Sequence, residues 1–295
     1  VGTNIKAGEY TMGRFDPVNG TNWNRGYHFD KDSVEQFANT VTPEESVQGI
    51  KQRFRAFLSN AIDTKLATPW GLGLAQQLNL KLQQLAVNAD FVLDLHNGPV
   101  STRHIYVPEY AKPSASLFNI PHCIFIPNVF AGALDEATFC PWWTLQESIE
   151  ANLQRNIEFN VEAFTLEMGS QEVINFTEGD VDALSILSYL NAKGALHNCD
   201  VKPNDMTRLG VMLKDYKTLF TDWGGMVEYL AKPGESIKAG EPLAKILNID
   251  ELDNDNGSRL LNAPCDLIPI LHFPSASVLS GTQLYKVFTN YETLT

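Results

Sequence analysis

The chain has 295 residues, 44% hydrophobic and 19% charged, ordinary proportions that exclude a disordered or low-complexity protein and allow one large domain or two smaller ones. Lysine plus arginine number 22 and aspartate plus glutamate 35; the formal charge of -13 argues against general nucleic-acid binding, which depends on clustered positive charge. No run approaches the roughly 18 consecutive apolar residues of a membrane span, and the opening Val-Gly-Thr-Asn-Ile-Lys-Ala-Gly does not read as a signal peptide.

Residues 1 to 30 carry loop chemistry, with Asp16-Pro17 and Asn19-Gly20 as turn signals between Arg14 and Arg25. An Asn-Gly turn joining two hairpin strands is the plain reading of this stretch. Thr42-Pro43-Glu44-Glu45 predicts a helix start, with Thr42 as N-cap and Glu45 completing a capping box. Val47, Ile50, Phe54, Phe57 and Leu58 follow at helical spacing. A second helix is expected over much of Gly71 to Val87, with Leu74, Leu78, Leu82 and Leu85 on one face.

The run from Ala89 to Gly98 then reads as a buried strand that ends abruptly in Asp94-Leu95-His96-Asn97-Gly98. Ligands in open α/β sheets bind at the carboxyl ends of strands, so His96 falls where chemistry is expected. Alone, an Asp-x-His at a strand end is more often a hydrogen-bonded structural histidine than part of a metal site.

Two short strands are expected at His104 to Val107 and His122 to Pro127, and a helix from Pro141 to Asn156. Asn160 to Ser170 forms another strand, ending in Glu167-Met168-Gly169. Gly179 to Ala195 is read as a helix whose core contacts are Val181, Leu184, Ile186, Leu187 and Leu190. This alternation predicts an α/β domain with a mixed or largely parallel sheet. After about residue 205 the helical pattern stops. Residues 223 to 246 resemble half of a biotinyl/lipoyl-like barrel sandwich that lacks the carrier hairpin, so 206 to 295 is read as an all-β accessory domain and 1 to 205 as the catalytic domain.

Cys123, Cys140, Cys199 and Cys265 show no Cys-x-x-Cys spacing and read as free thiols in a reducing, cytoplasmic compartment. His28, His104, His122 and His272 have no evident partner and are read as structural, and Cys140 as a packing residue.

Arg14, Asn24-Arg25, Asp94-Leu95-His96-Asn97 and Thr165-Leu166-Glu167-Met168-Gly169 occur in an order that resembles the succinylglutamate desuccinylase/aspartoacylase family of zinc carboxypeptidase-like hydrolases. The resemblance implies a mixed sheet flanked by helices, a β-rich C-terminal domain, and one catalytic zinc per chain with His96 among its ligands. It implies Glu167 as the general base and acid, and Arg14, Asn24 and Arg25 as grips on a substrate carboxylate, with Asn97 lining the same pocket. The expected activity is hydrolysis of an N-acyl amino acid or similar small acidic amide; a carboxypeptidase-like peptidase and a non-catalytic carboxylate-binding protein are the alternatives. Neither nucleic acid nor membrane is an expected partner, and self-association is left open.

Two departures accompany the resemblance. The His-x-x-Glu motif that supplies the family's other zinc ligands is absent from the chain, and His197-x-x-Asp200 is the nearest in form. Because that motif precedes the arginine loop, the expectation is that an N-terminal portion is missing. Asn22 also stands where aspartoacylases commonly carry Asp.

Overall fold

The computed structural model describes residues 15–16, 20–171, 173–197, 199–251 and 257–294. The chain folds into two compact units, residues 1–94 with 128–164, and residues 95–127 with 165–295. The sequence boundary expected at 205/206 falls inside the second.

The first unit holds helices α1 (Lys31–Ala38), α2 (Val47–Leu66), α3 (Leu74–Ala86) and α4 (Leu134–Leu153). Its core joins Val34 and Ala38 of α1, Ile50 and Phe54 of α2, and Trp142, Leu145 and Ile149 of α4. Phe54 meets Trp142 edge to face at 4.8 Å. Helix α2 starts at Val47, not at Pro43. The Ser46 hydroxyl accepts from Gly49 N–H at 3.1 Å, while Glu45, expected in a capping box with Thr42, is drawn away to Arg53 by two bonds of 2.8 and 2.6 Å.

The face of α3 also differs from the expected leucine stripe. Leu74 and Leu85 are 67% and 78% exposed, and the buried residues are Ala75, Asn79, Leu80, Gln83 and Ala86. Helix α4 begins seven residues before the expected Pro141, which lies inside it. The carboxylate of Glu136 accepts from the N–H groups of Ala131 and Ala133 at 2.7 and 3.0 Å, which caps the earlier start.

Strands β1 (Phe91–Gly98) and β5 (Glu162–Ser170) run from the first unit into the second. The second unit adds β2 (Val100–Ser101), β3 (His104–Pro108), β4 (His122–Ile126), helix α5 (Phe176–Ala192) and strands β6 (Arg208–Met212) and β7 (Tyr216–Phe220). They are followed by β8 (Gly225–Tyr229), β9 (Pro242–Leu247), β10 (Ser258–Asn262), β11 (Ile268–His272), β12 (Ser277–Val278), β13 (Gln283–Phe288) and β14 (Glu292–Leu294). The main sheet has the order β1-β5-β3-β4-β6-β14. It is mixed: β3 pairs parallel to β4 and β4 to β6, whereas β5 and β14 run antiparallel to their partners β3 and β6. Two four-stranded sheets, β10-β9-β8-β12 and β2-β11-β13-β7, complete the unit around a core that includes Val227, Leu243, Ile246, Leu267, Leu284 and Tyr285.

Helix α5 turns a different face inward from the one expected. Val181, Leu184 and Leu187 are 39%, 47% and 37% exposed, and Ser185, Ser188 and Tyr189 are buried. The two hydroxyls satisfy backbone groups of the preceding loop: Ser185 Oγ accepts from Asn119 N–H at 2.8 Å and Ser188 Oγ donates to the Leu117 carbonyl at 2.9 Å. Among the described residues no helix is long and apolar enough to cross a membrane.

Candidate active site

The residues singled out in the sequence fall into two groups, one in each unit. Arg14 lies outside the described residues. Its companions Asn24 and Arg25 sit on a tightly bonded loop of the first unit, which starts from the antiparallel bridge of Phe15 and Asn22; Asn19 of the expected Asn-Gly turn lies outside the described residues. Asn22 Oδ1 accepts from Asn24 N–H at 3.0 Å, and the Asn22 carbonyl accepts from Arg25 N–H at 3.0 Å. The exposed Arg25 side chain donates from Nη1 to the Asn24 carbonyl at 2.7 Å. Gly132, at φ +102°, leaves room for its stem, since a Cβ there would lie 3.3 Å from Arg25 Cδ.

The second group is built on strand ends. Glu167 lies three residues before the end of β5 and Gly98 closes β1, and a Cβ placed on Gly98 would lie 3.8 Å from Glu167 Oε2 and 3.2 Å from Ser101 Oγ. His96 precedes Gly98 by two residues, so strand alternation sends its imidazole to the same face of the sheet as Glu167. Asn97 leaves on the opposite face, where it lines a groove of about 400 Å³ with Met168, Ser170, Ile174 and Ile186. The structure therefore brings His96 and Glu167 to one face and separates Asn97 from both.

Across the β3–β5 ladder Glu167 stands opposite His104, and Thr165 opposite Tyr106. Directly opposed residues project to the same side, so His104 shares the face of Glu167. His104 is 1% exposed, and its Nδ1 lies 3.0 Å from the Thr102 carbonyl. A carbonyl only accepts, which makes Nδ1 the protonated nitrogen and leaves Nε2 as a lone-pair acceptor, buried without a hydrogen-bond partner among the described residues. Burial pushes the His104 pKa down to about 4, and the nearby His122 and Lys286 act in the same direction, so the ring is neutral. Tyr216 covers the cluster from the start of β7. Burial, then Tyr106 and Glu167, hold its phenol protonated well above the usual range.

Sequence reasoning missed three residues here. His104 gave no motif, because its partner lies 63 residues away across a ladder. Asn79 and Gln83 bond the backbone of the Arg25 loop, and their legible signal was two amides one helical turn apart inside a leucine-rich helix. His122 and His272 do act structurally: their Nδ1 atoms contact the carbonyls of Arg103 at 3.2 Å and Phe273 at 2.8 Å.

His96 supplies one imidazole, but no group of three His, Cys, Asp or Glu that could hold a metal ion occurs among the described residues. His197 and Asp200 are both exposed, and Asp200 pairs with Lys202 at 3.4 Å. The described residues thus do not fit a complete zinc centre by themselves.

The model of the succinylglutamate desuccinylase/aspartoacylase catalytic domain matches residues 4–192. Two similar crystal structures come from Shewanella and carry that same description. The one from Shewanella frigidimarina NCIMB 400 is 42% identical with a TM-score of 0.91, over 99% of this chain and 78% of the other. The one from Shewanella amazonensis SB2B is 42% identical with a TM-score of 0.92, over 99% of this chain and 80% of the other. A succinylglutamate desuccinylase/aspartoacylase from Rhodobacter sphaeroides shares the fold alone, at 16% identity and a TM-score of 0.61 over 96% of this chain and 71% of the other. No curated protein sequence matches the chain.

Proposed function

The chain belongs to the succinylglutamate desuccinylase/aspartoacylase family, and from that membership we propose that it is a deacylase cleaving the amide bond of an N-acyl amino acid or a similar small acidic amide. The observation that carries the proposal is the shared face of His96 and Glu167 near the carboxyl ends of β1 and β5, with Gly98 leaving space beside the carboxylate.

Glu167 acts as general base toward the attacking water and then returns the proton to the leaving amine nitrogen, a role worth roughly 10²–10⁴-fold in rate. Arg25, with Asn24 and Arg14, grips the substrate carboxylate through the paired N–H groups of the guanidinium. Asn97, expected beside the same pocket, lines the groove on the opposite face of the sheet with Met168 and has no part in this site. One zinc ion per chain, with His96 as a ligand, belongs to the same proposal; when bound it supplies Lewis acidity at the scissile carbonyl. The described residues provide a single donor for it. A reducing, cytoplasmic compartment is part of the reading and is supported by the four cysteines being free thiols.

The test is turnover of a panel of N-acyl amino acids, including N-succinylglutamate, by the wild type and by Glu167→Gln, with elemental analysis after dialysis. Amine release that falls at least about 100-fold in the variant, with zinc content near one per chain in both, is the expected result. Turnover surviving in the variant overturns the role of Glu167. Absence of metal after zinc is supplied removes zinc from the proposal.

A further inference from the structure

Arg25 is an exposed arginine whose backbone is held as though it were buried. Asn79 and Gln83, one turn apart on α3, are 1% and 5% exposed. Burying a primary amide costs free energy unless its polar atoms are bonded. Asn79 Nδ2 donates to the Arg25 carbonyl at 2.5 Å. Gln83 grips His28 from both sides, accepting from its N–H at 2.9 Å and donating to its carbonyl at 2.6 Å.

Helix α3 does not need these amides for its packing. Leu80 and the following Val87 already join Ile62 of α2 in an apolar cluster. Asn79 also leaves its Oδ1 buried without a hydrogen-bond partner among the described residues, an arrangement that an apolar residue would avoid. The loop is shaped to meet the amides: Gly26 sits at φ +87°, and a Cβ there would lie 3.5 Å from Asn79 Nδ2. Tyr27 N–H then bonds the Gly132 carbonyl at 3.4 Å, next to the glycine that admits the Arg25 stem.

We propose that Asn79 and Gln83 are positioning residues that fix the Arg25–His28 backbone so that the Arg25 guanidinium is presented in one orientation to the substrate carboxylate. The inference rests on the reading of Arg25 as the carboxylate clamp. Its energetic logic is preorganisation: the ordering cost of the loop is met on folding and not again on binding.

The experiment compares Asn79→Leu, Gln83→Leu, Arg25→Ala, the double variant Asn79→Leu/Arg25→Ala and the control Leu80→Ala, all in the full chain. For each, kcat and KM are measured separately on an N-acyl amino acid, thermal midpoints are recorded, and calorimetry follows binding of glutarate as a plain dicarboxylate probe. Both leucine variants are expected to raise KM, and the glutarate Kd, about tenfold with kcat little changed, since small misplacement of a binding group is felt at this scale. Leu80→Ala, which loosens α3 without touching the loop, lowers the midpoint and leaves KM alone. Asn79→Leu adds nothing once Arg25 is Ala, because it acts through that residue.

Equal KM increases in Leu80→Ala and Asn79→Leu, or full additivity with Arg25→Ala, overturn the positioning role. If Arg25→Ala changes neither KM nor glutarate binding, the clamp reading fails and takes this inference with it. If the wild type turns over no acyl amino acid but binds glutarate through Arg25, Asn79 and Gln83, the deacylase reading fails and the positioning role stands.

Discussion

His104 stands directly opposite Glu167 in the β3–β5 ladder, so a neutral buried imidazole and the candidate catalytic carboxylate leave the sheet on the same side. The imidazole is tied through Nδ1 to Thr102, which directs its lone pair away from that bond. A histidine kept neutral by burial links stability to pH. Its folded pKa of about 4 lies below the ordinary value of 6.5.

Above pH 6.5 neither the folded nor the unfolded form holds the proton, and the full stability is present. As pH falls from 6.5 toward 4, the unfolded chain binds a proton that the folded chain refuses, and about 3 kcal/mol is lost by pH 4. His28, His122 and His272 are shifted down by burial as well and act with the same sign. Urea denaturation from pH 7 to pH 4.5 should give a flatter stability profile for His104→Asn than for the wild type. Equal slopes would show that His104 is not held neutral.

Gly98 keeps the space beside Glu167 open. Alanine there would bring a Cβ to 3.2 Å from Ser101 Oγ, a side chain that can rotate aside, and to an ordinary 3.8 Å from Glu167 Oε2. Gly98→Ala should therefore retain activity within about threefold, whereas the branched side chain of Gly98→Val should lower kcat at least about tenfold by displacing the carboxylate. Comparable kcat values for the two variants would count against Glu167 as the acting group.

Arg25→Lys keeps the charge but removes the fork. If the guanidinium binds a carboxylate through two parallel N–H groups, KM should rise about tenfold while kcat stays close to the wild type. An unchanged KM would mean that charge alone is sufficient at this position.

Gly225 opens β8 at φ +147°, and a Cβ added to it would fall 2.2 Å from the Leu247 carbonyl oxygen in the adjoining β9. The obstacle is backbone and has no rotamer to escape through. Gly225→Ala should cost about 2 kcal/mol or more, visible as a lower thermal midpoint, with kcat per folded molecule preserved. A midpoint within a degree of the wild type would show that the β8–β9 pairing shifts freely.

The sequence by itself determined the strand ends and their chemistry. An apolar run that stops at Asp-Leu-His, and another that stops at Glu-Met-Gly, specify β1 and β5 and put His96 and Glu167 near their carboxyl ends, but the burial expected of β1 is not found: it stands at the edge of the sheet order and none of its residues is buried, because an edge strand is covered on one side only. Helix positions were also legible, but their inner faces were not. In α3 and α5 the leucines share a face by period, yet Asn79, Gln83, Ser185 and Ser188 are the residues turned inward. Which face is buried depends on what must be bonded there, and the unpaired carbonyls and N–H groups of Arg25, His28, Leu117 and Asn119 come from segments 54 to 71 residues distant. Only the tertiary structure decided that, and only the ladder register placed His104 opposite Glu167. Periodicity records a residue's neighbours along one element, whereas hydrogen-bond demand is imposed by whatever that element packs against.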